Sequence, residues 1–396
     1  MVAVFTFAIT LLLAVLISEL AGRSVLSTAV LFLFAGFVAG EGMLGLVPLQ
    51  PDNPVVAQLA ELALFSVLFT DGMRVGVRDL LSAWRLPGRA LVLGMPLTFV
   101  GTAVLAHFVA GLPWPEAFLI GAVLSPTDPV FAAAIVGRKE IPQRLRHLLN
   151  VESGLNDGLA LPLVVALLAF IRHREVEAFT MAGELALGVV LGVAVPWIAS
   201  RIEQSKVFSV SAPYEPLFAF AIGLLELSAA AITHANEYLA AFAAGVTIAS
   251  IRTDLRDEFH KFGELVAELL KLAALLVFGA LISPRFLQEI HWSGYVFALL
   301  ALFLVRPIAL NLALLGSTLG WRERMTAAWF GPKGFASVVY GMLILEAGIA
   351  TADTLFHLVA IVIAASIIAH SSTDVAIARW FDQAEPESTE QSATVP

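Results

Sequence analysis

The chain has 396 residues, 59% of them hydrophobic and only 14% charged. An ordinary soluble domain carries about 25% charged residues, so a soluble globular protein is excluded. The net charge of −9 says little by itself, no nucleic-acid partner is expected, and the absence of cysteine removes disulfides, thiolate metal sites and cysteine nucleophiles.

Apolar runs of about 20 residues, long enough to cross a bilayer as helix, recur from end to end. Backbone polar groups in lipid need internal partners, so the expected fold is an all-α polytopic bundle. Thirteen transmembrane spans are predicted, at 2–20, 25–41, 55–73, 88–111, 115–137, 147–171, 180–200, 212–233, 236–251, 263–283, 293–316, 323–347 and 353–376. The first has no basic n-region and no small-residue cleavage site, so it reads as a retained helix rather than a signal peptide. With the N-terminus outside, 17 Lys and Arg residues fall in cytoplasmic connections or just after the last span, and only Arg172, Arg174 and Arg285 fall outside. That bias predicts an N-out, C-in topology. Lys271, Arg306 and Lys333 lie within spans.

Span three carries Asp71 in "FSVLFTDGMRV", close enough to its cytoplasmic end to be simply interfacial. Span five reads "PEAFLIGAVLSPTDPVFAAAIVG", where Pro126 and Pro129 flank Thr127 and Asp128. A proline removes a backbone donor and clashes with the preceding turn, so the pair should break the helix. Span twelve, "RMTAAWFGPKGFASVVYGMLIL", places Lys333 among Gly331, Pro332 and Gly334 and should break too. The breaks fall in the fifth member of two six-helix units, approximately 2–171 and 212–376, joined by the span at 180–200. An offset of seven spans inverts the second unit relative to the first. Paired interrupted helices in matching places point to a transport site built by inverted repeats. The alternative is that Pro and Gly are merely frequent in membrane helices. Asp128 suits the N-end of the second half of span five, and Lys333 the carbonyl ends of span twelve, so both read as structural, charge-balancing groups.

Span six opens "NVESGLNDGLALPLVVALLAF", Asn150 to Phe170. Asn150 suits an N-cap. Ser153 and Asp157 share one helical face, Glu152 and Asn156 an adjacent one, and Glu152 points roughly 140° away from Asp157. One carboxylate can therefore take a fixed cation while the other stays available to a mobile one. Intramembrane carboxylates mark ion or proton pathways. Nearby oxygens on Ser153, Thr127 and Asp71 suit a hard cation. The alternative is that Glu152 and Asp157 only cap or salt-bridge helix ends.

The segments "SPTDP" (Ser125–Pro129), "ESGLNDGLALP" (Glu152–Pro162), "EYLAAFAAGV" (Glu237–Val246), "VRP" (Val305–Pro307) and "GPKG" (Gly331–Gly334) resemble the NhaP-type sodium/proton antiporters, in order and over nearly the whole chain. The resemblance implies a homodimer with a core domain and a dimerisation domain. It makes Asp157 the ion- and proton-carrying carboxylate, with Asn156 beside it, Asp71 an acid at the ion site, and Ser153 and Thr127 added oxygen ligands. Glu152 would pair with Arg306. The Asn156-Asp157 pair resembles the electroneutral branch, one cation per proton. Three positions depart from the family pattern: Lys333 where arginine is usual, Asn236-Glu237 where glycines flank asparagine, and Lys271 in mid-span. Lys271 is expected to pair with Glu268 at i−3; if it approaches Asp157 instead, the one-for-one exchange is in doubt.

The expected function is secondary antiport of a monovalent cation, sodium first, against protons, by elevator-type alternating access, serving pH homeostasis from a bacterial inner membrane. The same fold exchanging potassium and an organic-anion/sodium symporter are the alternatives. No cofactor is expected beyond the transported ions, the partners being cation, proton and membrane lipid. No transition-metal site is expected, since the eight histidines are scattered. An enzyme is not expected: H-E-x-x-H, a serine elbow and a phosphate-binding lysine loop are all missing. Residues 1–381 read as a single transport unit and 382–396 as a short disordered cytoplasmic tail, with no soluble domain attached.

Overall fold

A computed structural model describes residues 1–17, 28–40, 43–47, 53–74, 85–128, 141–172, 178–205, 207–282 and 284–382. The described residues are helical throughout their regular structure, with no strand. In chain order the helices are α1 (Val2–Leu16), α2 (Thr28–Ala39), α3 (Pro54–Arg74), α4 (Pro87–Phe108), α5 (Trp114–Leu124), α6 (Gln143–Ile171) and α7 (Ala178–Glu203). There follow α8 (Glu215–Thr233), α9 (Glu237–Ile251), α10 (Thr253–Leu281), the short α11 (Pro284–Glu289), α12 (Trp292–Ala313), α13 (Trp321–Trp329), α14 (Phe335–Glu346) and α15 (Ala352–Asp382).

Each of the thirteen expected spans overlaps one of these helices, but only seven described helices are long and apolar enough to cross a bilayer by length and composition. The difference has physical causes. Breaking span twelve leaves α13 and α14 as half-length pieces, and α10 carries Glu264, Glu268 and Lys271 along its apolar part. The second half of span five and the tail from 383 onward lie outside the described residues. Asn150 is not an N-cap. Helix α6 begins at Gln143 behind Pro142, so Asn150 lies two turns inside it. The charged and polar stretch before the apolar run is itself helical.

Two helices share a defect that the sequence reading passed over. A π turn occupies Ala90–Gly94 of α4, just before Pro96, and another occupies Ala301–Val305 of α12, just before Pro307. Proline takes its N–H out of the ladder, and one wider turn absorbs the mismatch. These two bulged helices pack against each other.

Helix α3 is the hub, packing on α6, α9, α10 and α14. Its residues Phe65 and Phe69 join Ile222 of α8, Ala244 of α9 and Phe259 of α10 in one core. Its Leu64 and Leu68 belong to a larger core with Leu119, Ala160, Phe278, Val339 and Val359. Near the start of α10, Arg252 bridges Glu203 and Asp254, and its guanidinium holds the Asp254 carboxyl below the usual carboxylate range. This fixed frame holds the two broken segments against α3 and α6.

Candidate functional site

The two interruptions cross and complete each other. Helix α5 ends at Leu124, and α14 starts only at Phe335 after non-helical residues from Phe330. The Asp128 N–H donates to the Pro332 carbonyl at 3.0 Å, and the Phe335 N–H donates to Asp128 Oδ2 at 3.0 Å. The Ser337 hydroxyl returns the favour, donating to the Val123 carbonyl at 2.7 Å. Asp128 thus sits at the positive end of α14, where a helix start attracts a carboxylate. The second half of its own span, whose N-end it was expected to serve, lies outside the described residues; within them it caps the opposite broken helix, whose first N–H groups are orphaned by the break.

The glycines of "GPKG" leave space for two charged side chains. A Cβ on Gly334 would stand 1.9 Å from the Asp128 Cβ, and one on Gly331 would stand 1.6 Å from Arg306 Nε. Arg306, at the end of the α12 π turn, reaches Glu152 with both terminal nitrogens, at 2.8 and 3.2 Å, and also donates to the Phe330 carbonyl. Both partners are buried. This is the geometry expected of Glu152, which faces away from Asp157. Lys333 sits nearby with its charge toward Arg306 and Glu152, and its ammonium has no hydrogen-bond partner among the described residues. Among those residues it serves no helix-end carbonyl, contrary to expectation; only its backbone N–H is engaged, by Ser366 Oγ at 2.8 Å.

On α6 the polar cluster divides by helical phase. Asn156 Nδ2 donates to Thr127 Oγ1 at 2.7 Å, and Thr127 Oγ1 lies 3.1 Å from Ser153 Oγ. The hydroxyl network therefore pairs Ser153 with Asn156, one turn apart, rather than with Asp157. Asn156 Oδ1 is buried without a partner among the described residues. Asp157 is 2% exposed, and no hydrogen bond or ion pair to its carboxylate is found among the described residues. Only its backbone carbonyl is held, by the Tyr340 hydroxyl at 2.8 Å. Among the described residues, Asp128, Asp71 and Lys271 act on its side chain electrostatically.

A cavity of about 500 Å³ opens beside this group, lined by Asp71, Arg74, Asp128, Glu264, Glu268 and Lys271, with Lys261 at its wall. Asp71 is buried within the protein and binds Arg74 at 2.9 Å. Lys271 pairs with Glu268 at 3.1 Å as its i−3 spacing suggests, yet it also stands within electrostatic reach of Asp71, Asp128 and Asp157. Among the described residues, the acids of this region are Asp71, Asp128, Asp157, Glu264 and Glu268, against Arg74, Lys261 and Lys271. When all are ionised the acids exceed the bases by two, an excess that protons or small cations can relieve.

The sequence reading missed Arg74, counted there as a loop charge, and Tyr340 and Ser337 of α14. Arg74 had a local signal, its i+3 spacing from Asp71. Tyr340 and Ser337 had none, because their partners lie 183 and 214 residues away in sequence. No group of three or more His, Asp or Glu residues suited to a metal ion occurs among the described residues.

Comparison with known proteins yields a consistent set. The transmembrane sodium/hydrogen exchanger family profile matches residues 7–380. The chain is 24% identical over 390 residues to a K(+)/H(+) antiporter NhaP of Alkalimonas amylolytica, covering 97% of this chain and 67% of that protein. It is 25% identical over 378 residues to a K(+)/H(+) antiporter NhaP2 of Shewanella sp. (strain ANA-3), covering 92% and 64%. It thus spans about two thirds of the length of these curated relatives. Its fold is similar to that of the sodium proton antiporter MjNhaP1 from Methanocaldococcus jannaschii at pH 8, with a TM-score of 0.79 at 20% identity over 95% of this chain and 98% of that one.

Proposed function

We propose that this chain, which belongs to the sodium/hydrogen exchanger family, exchanges a monovalent cation for a proton, with Asp157 as the group the two occupy in turn. The observation that carries this reading is a carboxylate at 2% exposure with no hydrogen bond or ion pair among the described residues. An ionised acid at membrane depth costs roughly 3 kcal/mol or more. A proton removes that cost, and so does a cation held by carboxylate, hydroxyl and amide oxygens. Asp71, Ser153, Thr127 and Asn156 offer such oxygens close by, and a hard monovalent cation prefers them. Glu152 is neutralised by Arg306 and stays out of the exchange.

Sodium at one ion per proton is the favoured assignment, following the Asn156-Asp157 pair. Two observations support rival readings. The NhaP relatives are named as potassium/proton antiporters, which favours potassium at the same site. The unpartnered Lys333 ammonium is what an organic-anion/sodium symporter would use at the crossing. In our reading the cavity faces the cytoplasm of a bacterial inner membrane, and a homodimer supports an elevator-type movement of the core. Two inverted six-helix repeats gain support from the matching defects: the fourth and eleventh spans both bulge before a proline, and helices of the fifth and twelfth both stop short, at Leu124 and Trp329.

Proteoliposomes test this directly. Proton flux driven by Na⁺, K⁺ or Li⁺, with and without a potassium-valinomycin clamp, reports selectivity and charge balance together. Flux is expected in the native chain, insensitive to the clamp, and absent from Asp157→Asn. Undiminished flux in that variant sinks the proposal, and retained anion uptake would favour symport.

A further inference from the structure

Arg74 spans two carboxylates. Its Nη1 lies 2.9 Å from Asp71 Oδ1 and its Nη2 lies 2.6 Å from Glu264 Oε1. The Asp71 side chain is 6% exposed, while Glu264 is 37% exposed, so the guanidinium joins a deep acid to one nearer the mouth of the cavity. Its backbone is held as well, the Arg74 carbonyl accepting from Arg256 Nη2 at 2.8 Å. A permanent cation on a short tether thus occupies the Asp71 carboxylate. Arginine stays charged at any pH of interest, so this occupant leaves only by moving. A mobile cation that uses Asp71 has to compete with a group held at high effective concentration.

We propose that Arg74 is a resident competitor for the cation at Asp71, and that Glu264 is the acid that holds the guanidinium when Asp71 is vacated for loading. The pair sets cation affinity. Arg74 is here a positioning residue, acting on the cation through Asp71. The inference rests on the antiport reading only in identifying the competing species as a monovalent cation.

The two residues make opposite predictions. Arg74→Gln removes the competitor and lowers the apparent cation KM about fivefold, the scale of a half-buried ion pair. Glu264→Gln removes the holding acid, leaves the guanidinium on Asp71 and raises the KM by a similar factor. The double variant Arg74→Gln/Glu264→Gln behaves like Arg74→Gln, and Arg74→Lys, which keeps a tethered charge, returns toward the native value. A merely structural ion pair would shift both single variants in the same direction. Equilibrium binding of ²²Na⁺ and ⁸⁶Rb⁺ to the purified full chain reads the same order without turnover. Binding to Arg74→Gln that is equal to or weaker than native, or binding strengthened in Glu264→Gln, overturns the inference. A native chain that binds cations in the stated order but moves no protons would refute the antiport reading and leave this one standing.

Discussion

The Asp128 carboxylate occupies the space a side chain on Gly334 would fill, and from there accepts the Phe335 N–H at 3.0 Å. One broken helix therefore supplies the cap that the other lacks, and the glycine is the condition for it. Gly334→Ala is expected to force the crossing apart: exchange falls below detection, and the denaturation temperature drops. Asp128→Asn keeps the volume and one acceptor oxygen, so it should fold better than Gly334→Ala while still losing the charge that complements the helix start. Thermal unfolding in detergent beside proteoliposome flux checks both. A Gly334→Ala protein with native stability would show that the crossing is looser than its geometry.

The buried Glu152–Arg306 pair is expected to matter for stability more than for selectivity. Removing one partner strands the other charge, a loss of about 3–5 kcal/mol. Glu152→Ala should therefore destabilise strongly, with the Na⁺ to K⁺ preference unchanged in whatever protein folds. The combined Glu152→Gln/Arg306→Met change removes both charges of the pair, leaves only the neighbouring Lys333 ammonium, and should recover part of the loss. Gly331→Ala should mimic the single variants, since its methyl would displace the Arg306 side chain. Denaturation midpoints of the native chain, Glu152→Ala, Gly331→Ala and the double variant decide the matter; a double variant no more stable than Glu152→Ala counts against the pair.

Much of this was readable from residue spacing, but only where the partner was local or the helical phase sufficed. The five-residue step from Glu152 to Asp157 already separated a fixed pair from a second, differently facing carboxylate, and Lys271 found Glu268 as its spacing implies. The breaks at Pro126 and Gly331 were visible as punctuation in apolar runs. What they join was not visible, because Asp128 meets Phe335 across 207 residues of chain. Asn150 misled because polar residues before an apolar run resemble a cap, whereas Gln143 to Asn150 forms two helical turns of its own. Pro96 and Pro307 were there to be read, but a bulge and a kink look alike in sequence.

Glu226 offers a test away from the site. It is 0% exposed on α8, both its carboxyl oxygens lack partners among the described residues, and the like charge of Glu237 acts on it. A buried polar group without a hydrogen bond costs about 1–3 kcal/mol. Glu226→Leu is expected to raise the denaturation temperature and leave exchange at the native rate. A loss of exchange in a well-folded Glu226→Leu protein would assign this acid a role in the ion path.

If cation and proton share Asp157, the cation meets a site partly filled by protons, and its apparent KM rises as the pH falls. The rise approaches about tenfold per pH unit once the carboxyl is mostly protonated, the limit for one exchanged proton. Thr127 does not titrate, so Thr127→Val should raise the KM at every pH without altering that slope. Valine removes the oxygen that receives Asn156 Nδ2 and contacts Ser153, leaving a buried amide donor unpaired and one cation ligand fewer. Asp71→Asn differs: it removes a carboxylate beside Asp157 and should change the slope as well as the level. Initial rates of cation-driven proton flux between pH 6 and 9 separate the cases. A parallel upward shift for Thr127→Val marks a ligand oxygen, and a pH-independent KM in the native chain would mean that ion and proton bind at different places.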